Sequence, residues 1–522
     1  MGYADTYMPL YEPVRYRAED GSWHTEFFEA VERSTGDLTW DPATILSMLS
    51  FSHPCGDRTL LSEVTRQPWM SIIGPDGEPQ LQPIAPHDTL FKSHDQIAAD
   101  FARLVQEELV EACKGRKKVY LTLSGGMDSR ISAAIICRAA EAGEIDAEIV
   151  AVTWGWALPN SADAVYGKKT AEILGIKWIF VDYKPEDLLR NVELSASRLA
   201  GLVPGIHMHR MSWFDNVPKE ENAVVMATSY GDLIGRAEFG DKLLLELRNL
   251  EPADKYGLLN PRVLPRAYQL LRADILDLND RAPGQPEYVH AEHGMYAHYA
   301  RGWCAQAMGI VNRTCTAHQV LTSPRVYSYV WSIHPSLRTD HVYARVLENV
   351  NPRLLRLPWS RTNRAFMGKT GGAERGIPHL NPRLCYRWID GVLYDRLLED
   401  LDLDWFRDNE IFHTENVKRL CERVRTGPVD YDSWDIFIWL VTLRRLARLL
   451  EEKGKTVEAK QPDPGGEAIE LPPRARPNPP SKAYLWFRNT ALFRIAKPWR
   501  DKIHQYRLRR RALKEYPFKK AE

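Results

Sequence analysis

Between Leu123 and Arg130 the chain reads LSGGMDSR, which crowds two glycines, two hydroxyls and a carboxylate into the stretch from Ser124 to Ser129. Gly125 and Gly126 accept backbone angles that other residues resist and let a ligand approach the main chain closely. A helix starting near Asp128 would point its unpaired N–H groups and positive dipole end into the loop, which makes a ready phosphate site. Ser124 and Ser129 add hydroxyl donors. Asp128 would repel a bare phosphate, so a carboxylate at this place calls for a cation, with magnesium bridging carboxylate and phosphate oxygens. A nucleoside triphosphate with magnesium satisfies every member of the loop. The plainer alternative is a glycine turn capping a helix.

The flanking sequence supplies the elements that must hold such a loop. Before it, HDQIAADFARLVQEELVEACKG has apolar residues at three- and four-residue spacing and predicts a helix, and KVYLTLS predicts a buried strand that stops at Leu123. After it, MDSRISAAIICRAAEAG predicts a helix ending near Gly143. AEIVAVTWG, KWIFVDY and NAVVMATSYGD predict further strands, and SADAVYGKKTAEILG another helix. Strands alternating with helices predict an α/β fold with a doubly wound parallel sheet. The first 95 or so residues read as short strands and turns, a small β-containing part. From about residue 252 to 450 the helical pattern dominates. Residues 453–483, rich in proline and charge, predict a linker. The expected division is therefore 1–95, 96–380, 381–452 and 453–522.

Composition narrows the partners. Lys+Arg and Asp+Glu are equal at 69 each in 522 residues, so the whole chain advertises neither nucleic-acid nor anionic-membrane binding. No run of about 18 apolar residues is present to span a membrane, and MGYADTYMPL lacks the pattern of a signal peptide. Gly2 and Thr6 fit the loose myristoylation pattern. The seven cysteines are scattered without zinc spacing, which predicts reduced thiols and a cytoplasmic setting. The tail, residues 484–520, places aromatics first and basic residues after, and it predicts either a peripheral membrane or protein contact or a final packed helix. His207 and His209 read as surface or substrate-contact groups. His290, His293 and His298, spaced along a helix with aromatics, read as core or substrate-pocket packing.

The SGGMDS loop resembles the pyrophosphate loop of the ATP pyrophosphatase (PP-loop) superfamily, and within it the asparagine synthetase-like amide-forming enzymes. ILSMLSFSHPCGDRTLLSEVTRQPWMSIIGPDG looks like the closing part of that family's glutaminase domain. TWGWALPNSADAVYGKKTAEILGIKWIFVDY is similar to its second strand and helix, where Asp163 follows Ser161. VVMATSYGDLIGRAEFG stands where the second acidic loop falls, and the segment from Val311 to Leu347 resembles the helical segment behind the synthetase site. LPWSRTNRAFMGK looks like the late loop that brings a cation to the phosphates. The resemblance implies ATP and magnesium, adenylation of a small-molecule or peptide carboxylate, release of pyrophosphate and attack by an amine. It places Leu123, Ser124, Gly125, Gly126, Asp128, Ser129 and Thr153 at the nucleotide, Asp128 and Asp232 at the metal, and Asp232, Arg361, Arg364 and Lys369 in catalysis.

Three departures shape the expectation. Position 2 is Gly2, where the family's glutaminase nucleophile is a cysteine, and the N-terminal segment is short, so the resemblance implies a truncated glutaminase without glutamine hydrolysis. Leu233 follows Asp232 where the family has an acidic residue, with Glu238 one turn beyond. Asn363 stands near the family's catalytic lysine, flanked by Arg361, Arg364 and Lys369, and arginine can clamp phosphate oxygens through paired hydrogen bonds. Two readings stay open: an ATP-dependent ligase, and a nucleotide-binding partner protein that has lost catalysis. Nucleic acid is not an expected partner.

Overall fold

The computed structural model describes residues 14–82, 90–155, 161–208, 211–214, 222–229, 250–313, 315–361, 388–426 and 431–459, with isolated positions beside them. At its centre stand five strands: β1 (Lys118–Thr122), β2 (Glu148–Gly155), β3 (Lys177–Asp182), β4 (Ala223–Ala227) and β5 (Thr316–Gln319). All pairings are parallel, in the order β5-β4-β1-β2-β3. Val119 lies opposite Ile149 on one side and Val224 on the other. Val119, Leu121, Val150, Val152 and all of β4 are buried, as a parallel sheet covered on both faces requires. The chain leaves β1 toward β2 and β3, then returns to place β4 on the other side of β1. That reversal makes the C-terminal ends of β1 and β4 the switch point, where open α/β sheets bind ligands.

The doubly wound parallel sheet is as expected, with one difference. Thr316–Gln319, read as part of a helical segment, is the fifth strand. Four residues containing a His and a Gln carry too little periodicity to declare a strand, and pairing with β4 decides it.

Eight helices matter most to the packing: α1 (Pro42–Phe51), α2 (His94–Cys113), α3 (Met127–Glu141), α4 (Ala162–Leu174), α5 (Pro185–Arg198), α6 (Leu264–Asp280), α7 (Asp340–Val350) and α8 (Tyr431–Glu452). Their ends follow local chemistry. Ser93 and Gln96 form a capping box at the start of α2. Ser161 caps α4, and Gly175 ends it with φ 68°, an angle that suits glycine. In α1, Asp41 accepts the Thr44 N–H at 2.7 Å and Pro42 opens the first turn. This helix is a second difference, since the region was read as strands and turns.

Two apolar cores result. The first joins the sheet to α2, α3 and α7, with Phe101 stacked on Tyr343 at 5.8 Å. The second combines N-terminal residues such as Tyr16, Phe27, Trp40 and Leu46 with Leu188 of α5, Leu271 of α6, and Phe437, Trp439 and Leu443 of α8. Val457–Glu458 closes this core by pairing in parallel with Leu38–Thr39, so the segment read as a linker from residue 453 begins as ordered structure. Arg58 bridges Asp41 and Asp274 at 3.3 and 2.6 Å, tying the N-terminal part to α6. Cys55, Cys113, Cys137, Cys315 and Cys421 are buried thiols. Among the described residues, no helix is long and apolar enough to cross a membrane.

His53 and His298 lie buried near the guanidinium groups of Arg66 and Arg301, and His298 Nδ1 accepts the Gly56 N–H at 3.2 Å. Burial, aided at His53 by His298 and Arg66 and at His298 by Arg66 and Arg301, pushes each imidazole down to about 3. Both are therefore neutral in the fold but take up a proton near pH 6.5 once unfolded. A depressed histidine contributes stability that is present above about pH 6.5 and lost as pH falls toward 3. Urea midpoints measured between pH 7 and 5 are expected to drop, with each histidine adding a slope of up to about 1.4 kcal/mol per pH unit. His298→Gln should flatten the dependence by roughly half of that pair's share.

Candidate nucleotide site

The SGGMDS loop leaves the end of β1 and enters α3 at the switch point. Gly126 is the N-cap residue and no side chain caps the helix there, which leaves its first turn aimed into the loop. Ser129 braces the loop from within. Its hydroxyl accepts the Ser124 N–H at 3.1 Å and lies 3.1 Å from Ser124 Oγ, which itself accepts the Gly126 N–H at 3.1 Å. The two serines thus hold the turn that the sequence assigned to phosphate binding.

Leu123 joins the loop to the neighbouring strand. Its N–H donates to Val152 O at 2.9 Å, and its carbonyl accepts the Thr153 hydroxyl at 2.6 Å. Thr153 also accepts Trp178 Nε1–H at 3.0 Å, so its hydroxyl links β2 to Leu123 after β1 and to Trp178 of β3. Gly167 of α4 passes so close that a Cβ there would lie 2.9 Å from Thr153 Oγ1.

Across the switch point, the loop after β4 comes to the same place. Gln319 of β5 donates to Ser229 O at 3.0 Å, and Tyr343 of α7 donates weakly to Gly231 O at 3.4 Å. A Cβ on Gly231 would overlap the Asp128 carboxylate and lie 2.7 Å from the Tyr343 hydroxyl. The two acidic loops therefore meet at Asp128 and Gly231. Asp232, Leu233 and Glu238 lie outside the described residues, as do Lys369, His209, Gly2 and Thr6, and all of the 484–520 tail except isolated positions.

The late loop also arrives here. Ser360 N–H donates to Gly125 O at 3.2 Å, and a Cβ on Gly125 would stand 2.6 Å from Ser360 Cβ. Trp359 and Arg364 pair across a turn, with Trp359 N–H donating to Arg364 O at 2.9 Å. Arg361 stacks over the Trp359 ring at 5.6 Å, and both arginines are exposed on the side of the glycine loop. Asn363 has φ 51° and hydrogen-bonds the Tyr166 hydroxyl. Asparagine tolerates that left-handed angle far better than most side chains, so the position near the family's lysine serves the turn.

Three residues of the site escaped the sequence reading. Asp163 was noted only as an acidic residue after Ser161, yet its carboxylate accepts both the Gly125 N–H and the Ser360 hydroxyl. Burial of that carboxyl group raises its pKa, opposed by the two hydrogen bonds and by the nearby Arg130 charge. Ser360 and Arg130 are the others. Their partners lie far away in the chain, and no local pattern marks them.

His207 is buried, with its Nε2 3.1 Å from Asp435 Oδ2 and Trp303 edge-on at 4.5 Å, which corrects the surface half of its surface-or-substrate-contact reading. His293 and His298 are buried as packing groups, in keeping with the sequence.

The residues fit a phosphate ligand: an uncapped helix start, a glycine loop and a carboxylate at its mouth. They fit magnesium through Asp128, since that ion takes one or two carboxylates with phosphates and water completing its shell. Among the described residues, no cluster of three or more metal-binding side chains exists, as would mark an all-protein metal cage.

Residues 100–204 match the asparagine synthase family model, about a fifth of the chain. Solved structures similar to this one include NAD+ synthetase from Burkholderia pseudomallei, at 18% identity and TM-score 0.22, covering 41% of this chain and 94% of that one. An NH3-dependent NAD synthetase from Campylobacter jejuni subsp. jejuni is similar at 17% identity and TM-score 0.22, covering 39% and 92%. No curated protein matches.

Proposed function

We propose that this chain, asparagine synthase-like over residues 100–204, is an ATP-dependent ligase. It activates a carboxylate as an acyl-adenylate, releases pyrophosphate and forms an amide with ammonia or a substrate amine, without hydrolysing glutamine. One observation carries the reading. The SGGMDS loop, an uncapped helix start and the loop after β4 converge at the switch point of a parallel sheet. Charge builds on the departing pyrophosphate during adenylation, and backbone donors already aimed at that place stabilise it without reorganising. Asp128, with Asp232, would hold magnesium, whose charge offsets that of the phosphates. Arg361, Arg364 and Lys369 are the cations for the leaving group. Buried, reduced thiols fit a reducing, cytoplasmic setting.

The second reading, a nucleotide-binding partner without catalysis, draws on Asn363, whose turn conformation and bond to Tyr166 replace a charged role. Titration of the full chain with magnesium and a non-hydrolysable α,β-ATP analogue tests both readings when paired with a pyrophosphate-release assay over a panel of carboxylic acids and amines. Micromolar binding with pyrophosphate release supports the ligase. Binding without release from any acid selects the partner protein, and no binding at millimolar analogue overturns both.

A further inference from the structure

One buried cation near the loop has no part in phosphate chemistry as described so far. Arg130, in the first turn of α3, is wholly buried. Its guanidinium makes four hydrogen bonds, all to main-chain carbonyls. Nη1 donates to Leu354 O at 3.1 Å and Leu357 O at 3.0 Å, and Nη2 to Pro358 O at 2.9 Å and Gly125 O at 3.1 Å. Burial pushes its pKa down to about 10, which still leaves it charged at neutral pH. Burying a charge without a carboxylate bonded to it is costly, and an apolar residue of similar volume would pack here at less expense. The position therefore needs what only the guanidinium fork supplies, several donors fixed in one plane.

Those donors join two segments more than 200 residues apart in sequence. Three of the carbonyls belong to the stretch that carries Arg361 and Arg364, and the fourth is in the glycine loop. Other bonds reinforce the same junction. Ser360 N–H donates to Gly125 O, the Asp163 carboxylate accepts from both Gly125 N–H and Ser360 Oγ, and Asn363 pairs with Tyr166 of α4. The main-chain N–H and C=O of Gly125 are thus both engaged at this junction, the N–H by Asp163 of α4 and the C=O by the late loop and Arg130.

We propose that Arg130 is a positioning residue that fixes residues 354–364 in register on the glycine loop, so that Arg361 and Arg364 are presented to the phosphates. The proposal rests on the ligase reading for what those arginines do, while the tie itself is independent of it. Lysine at 130 keeps the charge but loses the fork and can serve only part of the carbonyl set.

The test uses the full chain with Arg130→Lys, Arg361→Ala and the double variant. Hydrogen exchange in peptides covering 354–364 is expected to accelerate by about tenfold or more in Arg130→Lys, while 131–141 of α3 keeps its protection. In the wild-type background Arg361→Ala should weaken binding of the magnesium–ATP analogue by about tenfold, and in the Arg130→Lys background by less than about twofold. Unchanged exchange over 354–364, or an equal Arg361→Ala effect in both backgrounds, overturns the proposal. Should Arg130→Lys fail to fold, Arg130→Gln, which keeps a planar donor group but fewer of its N–H bonds, is read by the same exchange measurement, with the same outcomes. If the wild-type chain binds no analogue, the ligase reading fails, and the exchange arm alone still decides whether Arg130 ties the two segments.

Discussion

Asp128→Asn is expected to lower pyrophosphate release by about a thousandfold, because magnesium supplies several kcal/mol of charge stabilisation at a transferring phosphate and each 1.36 kcal/mol is tenfold in rate. The substitution keeps the shape of a side chain that packs against Gly231, removes its charge and turns one acceptor oxygen into a donor. It also removes an acidic group from the first turn of α3, where interaction with the helix dipole is worth about 0.3–1 kcal/mol. Stability and activity therefore report different roles. A fall in the unfolding midpoint worth less than about 1 kcal/mol, together with a thousandfold loss of activity and weaker magnesium-dependent binding of the analogue, identifies the metal carboxylate. The same small stability change with activity intact would make Asp128 a helix-start residue only, and the loop a turn.

Much of this arrangement was legible because it is local. The strand, glycine loop and helix from Lys118 to Glu141 announce themselves through an apolar run, a breaker and a 3.6-residue period, and β2, α4 and β3 follow by the same signals. The loop residues and Thr153 converge at the strand ends as the alternation requires. What stayed hidden depends on contacts distant in sequence. Arg130 reads as an ordinary polar residue in a helix until Leu354, Leu357 and Pro358 are placed beside it. Asp163 reads as a first-turn acid until Gly125 and Ser360 reach it. The N-terminal segment looked like an isolated β-containing part, because nothing in residues 14–82 shows that Val457–Glu458 will return to pair with Leu38–Thr39.

Gly231→Ala carries the second large expectation. Its Cβ would overlap the Asp128 carboxylate and crowd the Tyr343 hydroxyl at 2.7 Å, and neither neighbour is the loose end of a surface chain. Tyr343 is buried and stacked on Phe101, so it yields little, and Asp128 must swing from its place. A displacement of that kind at a reacting centre costs about a hundredfold in rate, and overpacking costs about 1–3 kcal/mol of stability. Pyrophosphate release and a urea midpoint on the same sample measure both. Adding Tyr343→Phe separates the two clashes. Removing the hydroxyl relieves the crowding on one side and should recover part of the stability, but the overlap with Asp128 remains and so should the loss of activity. Recovery of both together would mean that Gly231 serves the packing of α7 and that the loop after β4 does not set the position of Asp128. Recovery of stability alone would show that an unsubstituted Cα at 231 is required by the carboxylate it faces, and would make the contact between the two loops a condition of catalysis.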